Sequence, residues 1–516
     1  MEKNSRIDNS LKNIKIAYIA QIINVLLSFI SRTIFIKYLG MEYLGISGLF
    51  SNVLGILSLA ELGFGTAMNY TLYKPVSEND SYKIGLLLDF YRKTYRKIAI
   101  LVFMLGVGII PILHLIIEVP SNVGNVYIYY FIYLLNTILS YFVSYQFCLT
   151  NAEQKVYINT LFDMVLSITT NVVQIVCMII YKNFIFYLLI GLFLRIIQKI
   201  CIQRYFNVHY PFIKEKRAAK IQKDDLDSIK KNVKGLVWHK LGEVAIHQTD
   251  NIIIAGFLSI IQIGIVDNYN MIINAVSMFV TIIFNNITPS LGNKVAADGR
   301  EETLKIYKVY ELLNYWIYGF CSLALLFLFQ PFIKIWIGGD KLIDSFSLIL
   351  ICLNFYFSGR RISFLNYKTV YGVFYDDKYV VLFSATLNLI ISIIAGKILG
   401  LPGIYLGTLV SGLYQSIRRP IISYERITGE SVKIYFSCFI KDLVRLAPPM
   451  IVVLLLTNVL IQDITYIRFV IMAIIYTIMV NIWFYLCLQR TDEFKYIKII
   501  LVTKLKTIKL GRENGK

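Results

Sequence analysis

The stretch IKIAYIAQIINVLLSFISRTIFI, Ile14 to Ile36, is apolar apart from a few positions, chief among them Gln21, Asn24, Ser28, Ser31 and Arg32. Its length suits the roughly 20 residues that a helix needs to cross the hydrocarbon core of a bilayer. A second stretch, GLVWHKLGEVAIHQTDNIIIAGFL at 235–258, carries Lys240, Glu243, His247, Asp250 and Asn251. The two polar sets have the same spacing, 3 then 4 then 3 then 1, at a constant offset of 219 residues. Gly45 maps to Gly264 at that offset, and Leu135-Asn136 meets Leu353-Asn354 after a shift of one. Helices of uniform length can align by chance, but a matched polar pattern is the signature of an internal repeat.

Hydropathy extends this pattern along the chain. Of 516 residues 57% are hydrophobic and only 16% charged, where a soluble domain carries roughly 25% charged residues. The apolar residues fall in runs that predict about fourteen membrane spans. They are placed at 14–36, 43–72, 95–117, 125–149, 159–181, 184–207, 235–258, 264–288, 310–329, 343–368, 379–399, 402–424, 438–460 and 464–488. The expected fold is an all-α membrane protein of two parallel six-helix repeats, 14–207 and 235–425, followed by a helical hairpin at 438–488. Residues 1–13, a linker at 208–234 and a basic tail at 489–516 complete it. An even number of crossings per repeat makes both copies enter from the same side, so an axis along the membrane normal relates them, as in alternating-access transporters. The first run is longer than a signal peptide's apolar region and no small-residue cleavage site follows it, so it is expected to be retained.

The net charge of +20 reads as topology and not as nucleic-acid binding. With the N-terminus inside, about 40 of the 52 Lys and Arg fall on the inner side, and the positive-inside rule then makes both termini cytoplasmic. The opposite loops hold only Lys37, Lys182, Lys334, Lys341, Lys397 and Arg468. Attraction to anionic lipid headgroups is a secondary consequence. The seven cysteines lie in or beside apolar runs without CxxC or zinc-type spacing, so they read as packing residues and no metal is expected. No GxxxxGK[ST] motif occurs, the 208–234 linker is too short for a folded nucleotide-binding domain, and no cofactor is expected. The short outward loops offer no carboxylate-bearing platform for an enzyme.

Polar stripes mark a transport path. On the seventh span Lys240, Glu243, His247, Asp250 and Asn251 fall within roughly 100° of arc at helical periodicity. A charge at the bilayer centre costs roughly 2.5 to 3.5 kcal/mol on insertion scales, so this face must meet water or partners. Comparable stripes are Ser51, Ser58, Glu61, Gly65 and Asn69 on the second span, Asp163, Ser167, Thr170 and Gln174 on the fifth, and Tyr356, Arg360, Ser363 and Tyr367 on the tenth. Their convergence would form a hydrophilic cavity between spans one, two, seven and ten. Simpler readings stand beside this one. Arg32 and Lys240 lie near span ends and can snorkel to headgroups; Glu243 can pair with Lys240 or His247 one turn away; Glu61 sits among glycines that signal tight packing or a bend. Arg360 and Arg361 lie well inside a long span, where snorkelling is harder.

The segment YLGISGLFSNVLGILSLAELGFGTAMNYTLYKPVSEND, Tyr43 to Asp80, resembles the second-span region of Wzx-type polysaccharide repeat-unit flippases, above all Gram-positive ones. Tyr43-Leu44-Gly45, Ala60-Glu61-Leu62-Gly63-Phe64-Gly65 and Tyr73-Lys74-Pro75 carry the likeness, and Thr249-Asp250-Asn251 is similar to the start of the family's second half. The layout of twelve spans in two halves plus two is that of the wider multidrug/oligosaccharidyl-lipid/polysaccharide exporter superfamily, which includes drug antiporters and the lipid II flippase. The resemblance implies translocation of an undecaprenyl-pyrophosphate-linked oligosaccharide from the inner to the outer leaflet of a bacterial cytoplasmic membrane, for capsule or exopolysaccharide assembly. Membrane lipids, a polysaccharide polymerase and glycosyltransferases are the implied partners.

On that reading Arg32, Lys240, Arg360 and Arg361 are candidate phosphate contacts, because a guanidinium fork donates bidentate hydrogen bonds to phosphate. Asn24, Tyr356 and Tyr367 are candidate sugar contacts. Glu61, Asp163, Glu243, His247 and Asp250 are candidates for coupling to a proton or sodium gradient; the ion, or uncoupled flipping, stays open. A multidrug or cation antiporter of the same superfamily is the alternative, and a membrane polymerase or ligase of lipid-linked glycans a more distant one. Several cavity cations disfavour a cationic substrate.

Overall fold

The computed structural model describes residues 3–61, 64–113, 123–215, 248–297, 300–371, 378–460 and 464–499, with scattered residues between 221 and 246. Among these the chain is helical throughout. Among the described residues eleven helices are long and apolar enough to cross a membrane. We number the α-helices α1 (Lys3–Tyr38), α2 (Met41–Leu57), α3 (Phe64–Ser77), α4 (Ser81–Ile109), α5 (Val126–Ala152), α6 (Val156–Tyr181), α7 (Phe184–His209) and α8 (Asp250–Phe257). There follow α9 (Ile260–Ala297), α10 (Arg300–Ile337), α11 (Ser345–Val370), α12 (Lys378–Leu399), α13 (Leu401–Thr428), α14 (Val432–Leu460) and α15 (Tyr466–Leu488).

The surface fits a lipid environment. Ile180, Ile394, Leu455 and Ile467 are at least 58% exposed, as lipid-facing residues should be, while Asn159, Asn314, Ser384 and Gln415 are buried. Those interior polar groups bond between helices or to backbone: Thr150 donates to Asn159 (2.6 Å), Asn314 to the Gly359 carbonyl (3.0 Å) and Gln415 to Ser384 (2.7 Å). In hydrocarbon such groups must find partners within the protein. Helix starts are set locally by caps. Asn125 accepts from the N–H groups of Tyr127 and Ile128, Asn183 from Ile185 and Phe186, and Asp344 from Ser347, which satisfies donors that a helix N-terminus leaves free.

Packing divides the chain into two compact units, Met1–Asp267 and Asn268–Lys516. In the first, α4 packs on α5, α5 on α7, and α6 on α7. In the second, α10 packs on α11, α11 on α13, and α12 on α13. The neighbour pattern of spans three to six thus recurs in spans nine to twelve, as a repeat requires. The hairpin α14–α15 lies against α10. The packing division falls inside α9, so the second sequence repeat, which begins near residue 235, opens within the first unit. There α8 packs on α2. A Cβ on Gly45 would sit 1.9 Å from the Ile260 carbonyl oxygen, and one on Gly264 2.5 Å from that of Met41. The two glycines related by the 219-residue offset therefore face one interface, and only hydrogen fits at either.

Two spans differ from their sequence reading. The second, expected as one run over 43–72, is two helices, α2 and α3, with a 3-10 turn at Ser58–Glu61 between them. The Ser58 hydroxyl donates to the Gly55 carbonyl (2.6 Å) where the α-helix ends. The third starts as a helix at Ser81, well before residue 95, because Asp80 caps it through the Lys83 N–H (2.8 Å). The seventh span lies mostly outside the described residues; α8 is its visible end.

Candidate functional site

In the first unit the polar face of α1 is built as the spacing predicts. Ile19, Ile22, Leu26 and Ile30 form its exposed apolar stripe, and Asn24, Ser28 and Arg32, four residues apart, occupy the half-buried side. The Arg32 Nη1 is buried and has no hydrogen-bond partner among the described residues, and the same is true of Asn24 Oδ1. Arg32 lies in the electrostatic field of Asp267, Tyr187 and Tyr133. A guanidinium so placed has donor capacity that the described residues do not use, and an unpaired buried donor is costly.

Asp267, on α9, is an acid that span-by-span reading passes over. Its carboxylate lies against α2, where a Cβ on Gly48 would come within 2.0 Å of Oδ2. Asn251 Nδ2 donates to its Oδ1 (3.4 Å). Asp250, one of the proposed coupling acids, opens α8 beside Asn251 and is half-buried. The other coupling candidates of this unit lie in separate clusters. Glu61, in the turn between α2 and α3, accepts from the Tyr95 hydroxyl (3.0 Å). Asp163 on α6 accepts from Gln198 Nε2 (3.0 Å), and Gln198 in turn accepts from Arg195 Nη1 (3.4 Å), whose Nε reaches Asn136 (3.3 Å). Asp163 and Arg195 are thus linked through an amide. Lys240, Glu243 and His247 lie outside the described residues.

In the second unit the α11 stripe of Tyr356, Arg360, Ser363 and Tyr367 turns into the helices around it. Arg360 is 6% exposed. Its Nη1 lies 3.1 Å from Glu311 Oε2 and also donates to Asn314 Oδ1 (3.0 Å) and the Glu311 carbonyl (3.0 Å); its Nη2 meets Asp442 Oδ2 at 2.9 Å. Ser363 and Tyr307 both donate to Glu311 Oε1, at 2.6 and 2.7 Å. Tyr367 is fully buried and stacks on Tyr307 with ring centroids 4.2 Å apart. Tyr356 is buried, with no hydrogen-bond partner for its hydroxyl among the described residues. Arg361 points elsewhere, donating to the Gly412 carbonyl of α13 (2.9 Å). Arg360 therefore meets two carboxylates, whereas Arg32 keeps an open donor. Neither Glu311 nor Asp442 stands out in the sequence.

No protein-family model and no curated protein matches the sequence. Solved structures do. The lipid II flippase MurJ, in an inward closed conformation, matches at 17% identity with a TM-score of 0.65, covering 92% of this chain and 100% of that one. The fold is shared with transporters of the MOP superfamily. An inward-facing multidrug resistance MATE family transporter of that superfamily matches at 16% identity and a TM-score of 0.59, over 80% of this chain and 95% of that one. A mutant of the Vibrio cholerae MATE transporter VcmN matches at 12% identity and a TM-score of 0.57, over 83% of this chain and 99% of that one. These likenesses bear on the architecture alone, an all-α membrane fold.

Proposed function

We propose that this chain is a flippase, not an enzyme, that carries undecaprenyl-pyrophosphate-linked oligosaccharide repeat units from the inner to the outer leaflet of a bacterial cytoplasmic membrane. The observation that carries the reading is Arg32, a cation on the polar face of α1 with a buried Nη1 that no described residue satisfies. A pyrophosphate would accept from such a fork, and Asn24 on the same face would meet hydroxyl groups of the sugar. The shared fold with a lipid II flippase over 92% of the chain supports a substrate of lipid-linked type. The Lys and Arg distribution supports cytoplasmic placement of both termini, and capsule or exopolysaccharide assembly is the pathway that the Tyr43–Asp80 segment favours.

Within this proposal Arg32, with Lys240, is the phosphate contact to test first, since Arg360 and Arg361 already donate to protein acceptors. The test is reconstitution. Proteoliposomes carrying the protein should expose a lipid-linked oligosaccharide from the inner leaflet to an impermeant glycan-modifying enzyme outside, and Arg32→Ala should abolish this. Equal exposure in protein-free vesicles would refute the proposal.

A second reading, a multidrug or cation antiporter, has one observation in its favour: Asp267 and Glu61 put carboxylates inside the first unit, and the MATE transporters share the fold. It predicts ion-driven efflux of small organic cations from the same vesicles, with no effect on the glycan lipid.

A further inference from the structure

The second unit contains a cavity of about 270 Å³ near the end where α10 begins and α15 finishes, the end that the Lys and Arg distribution assigns to the cytoplasm. Tyr307, Tyr315, Tyr424 and Tyr435 line it together with Glu311, Arg360 and Asp442. The two acids are not equivalent. Glu311 meets three donors, Tyr307 and Ser363 on Oε1 and Arg360 on Oε2. Asp442 has Arg360 at 2.9 Å on Oδ2, while its Oδ1 meets Arg445, one-third exposed, at 3.5 Å.

Among the buried groups the charge count is unbalanced, the second cation on Asp442, Arg445, being one-third exposed. Two carboxylates share one buried guanidinium, and the nearby cations are weakly engaged with them. From α10, Lys308 is held by Glu430 at 2.6 Å. From α11, Tyr356 and Arg360 face the group; from α13, Tyr424; and α14 itself adds Tyr435, Cys438, Lys441 and Arg445. Beyond α15, Glu493 adds a further negative charge at the cavity wall. The Tyr315 hydroxyl and Arg360 Nε, on residues that are 1% and 6% exposed and line this cavity, have no hydrogen-bond partner among the described residues. Buried polar atoms of this kind are ordinarily satisfied by water, which would also conduct a proton to Asp442.

We propose that Asp442 is a proton-exchange site, loaded from the α10 end of the cavity, whose protonation releases α14 from Arg360. The proton adds to a carboxylate oxygen of Asp442. Arg360 stays paired with Glu311, and the net charge of the three groups goes from −1 to zero. Of the two carboxylates in this site Asp442 has the fewer close donors, and unequal surroundings of this kind are what let one carboxyl of a pair exchange a proton. The site is independent of the substrate assigned above.

The experiment is an infrared pH titration of the purified full-length protein, following the protonated-carboxyl band as a difference between variants. Wild type should gain a band as pH falls that Asp442→Asn lacks and Glu311→Gln retains, and Arg445→Gln should move its midpoint up by about 1 pH unit, since a nearby cation favours the charged carboxylate. Labelling of Cys438, which borders the cavity, should rise relative to Cys201 through the same midpoint and lose its pH dependence in Asp442→Asn. A band that survives in Asp442→Asn, or disappears in Glu311→Gln, overturns the proposal. Should Asp442→Asn fail to fold, an unchanged midpoint in Arg445→Gln overturns it equally.

Discussion

Replacing Arg360 by alanine separates a structural cation from a substrate-binding one. The change removes the guanidinium that bridges Glu311 and Asp442, whose side chains are 18% and 14% exposed. Breaking a buried ion pair by deleting one partner costs about 3–5 kcal/mol, because the remaining charge is left uncompensated. Asn314 Oδ1 and the Glu311 carbonyl also lose a donor. Arg32→Ala should cost less than Arg360→Ala: its Nη1 has no partner among the described residues to lose, and it acts on one carboxylate, Asp267, where Arg360 contacts two. Membrane proteins often unfold irreversibly, so the practical measure is the temperature at which half of the detergent-solubilised protein ceases to elute as a monodisperse peak. Arg360→Ala should lower that temperature markedly and Arg32→Ala should not. Adding Glu311→Gln and Asp442→Asn to Arg360→Ala should recover much of the loss, since a fully neutral network leaves no unpaired charge. If Arg360→Ala elutes and melts like wild type yet fails to export, the arginine serves the substrate and the reasoning is refuted.

Three further outcomes follow from the same geometry. Arg32→Lys should retain the fold but lose most of the export, because an ammonium cannot replace a bidentate fork on phosphate; full export by the lysine variant, measured in the vesicle assay, would point to a simple charge requirement. Gly45→Ala should destabilise the α2–α9 contact by about 1–3 kcal/mol, as overpacking does, since its Cβ would fall 1.9 Å from a backbone oxygen; a thermal profile equal to wild type would contradict that close approach. Glu61→Gln keeps an acceptor for the Tyr95 hydroxyl, so stability should change by less than about 1 kcal/mol. If Glu61 carries the coupling proton, the same variant should flatten the pH dependence of transport, and an unaltered profile would remove it from that role.

What is legible in the sequence is what depends on the chain's own order. Span length and the 219-residue offset are one-dimensional properties, and the neighbour pattern that recurs in the two units accords with that offset. The break in the second span is half-visible: the glycines around Glu61 signal a bend, but only the structure places the 3-10 turn at Ser58–Glu61. The stripes are harder, because helical periodicity shows which residues share a face and not what that face meets. Asn24, Ser28 and Arg32 share a face that leaves Arg32 with an unmet donor, whereas Tyr356, Arg360, Ser363 and Tyr367 share one that other helices fill.

The difference between those two stripes is made by residues distant in sequence. Glu311 precedes Arg360 by 49 positions and Asp442 follows it by 82, and neither lies on a stripe of its own that would single it out. An arginine deep in a span is therefore ambiguous until its acids are found: the cost of burying its charge can be offset by protein carboxylates or by a ligand's phosphate, and the two leave the same mark on the helix that carries it. Asp267 is the converse case. The repeated spacing includes Asn251 but not the carboxylate sixteen residues later to which Asn251 donates, since an acid in the first turns of a span reads as a helix start. Placed against α2 at Gly48 and in the field of Arg32, it bears on how strongly Arg32 would hold an anion. Asp267→Asn should accordingly tighten phosphate binding by the first unit, and a weaker or unchanged affinity for inorganic pyrophosphate would show that the two charges are not coupled.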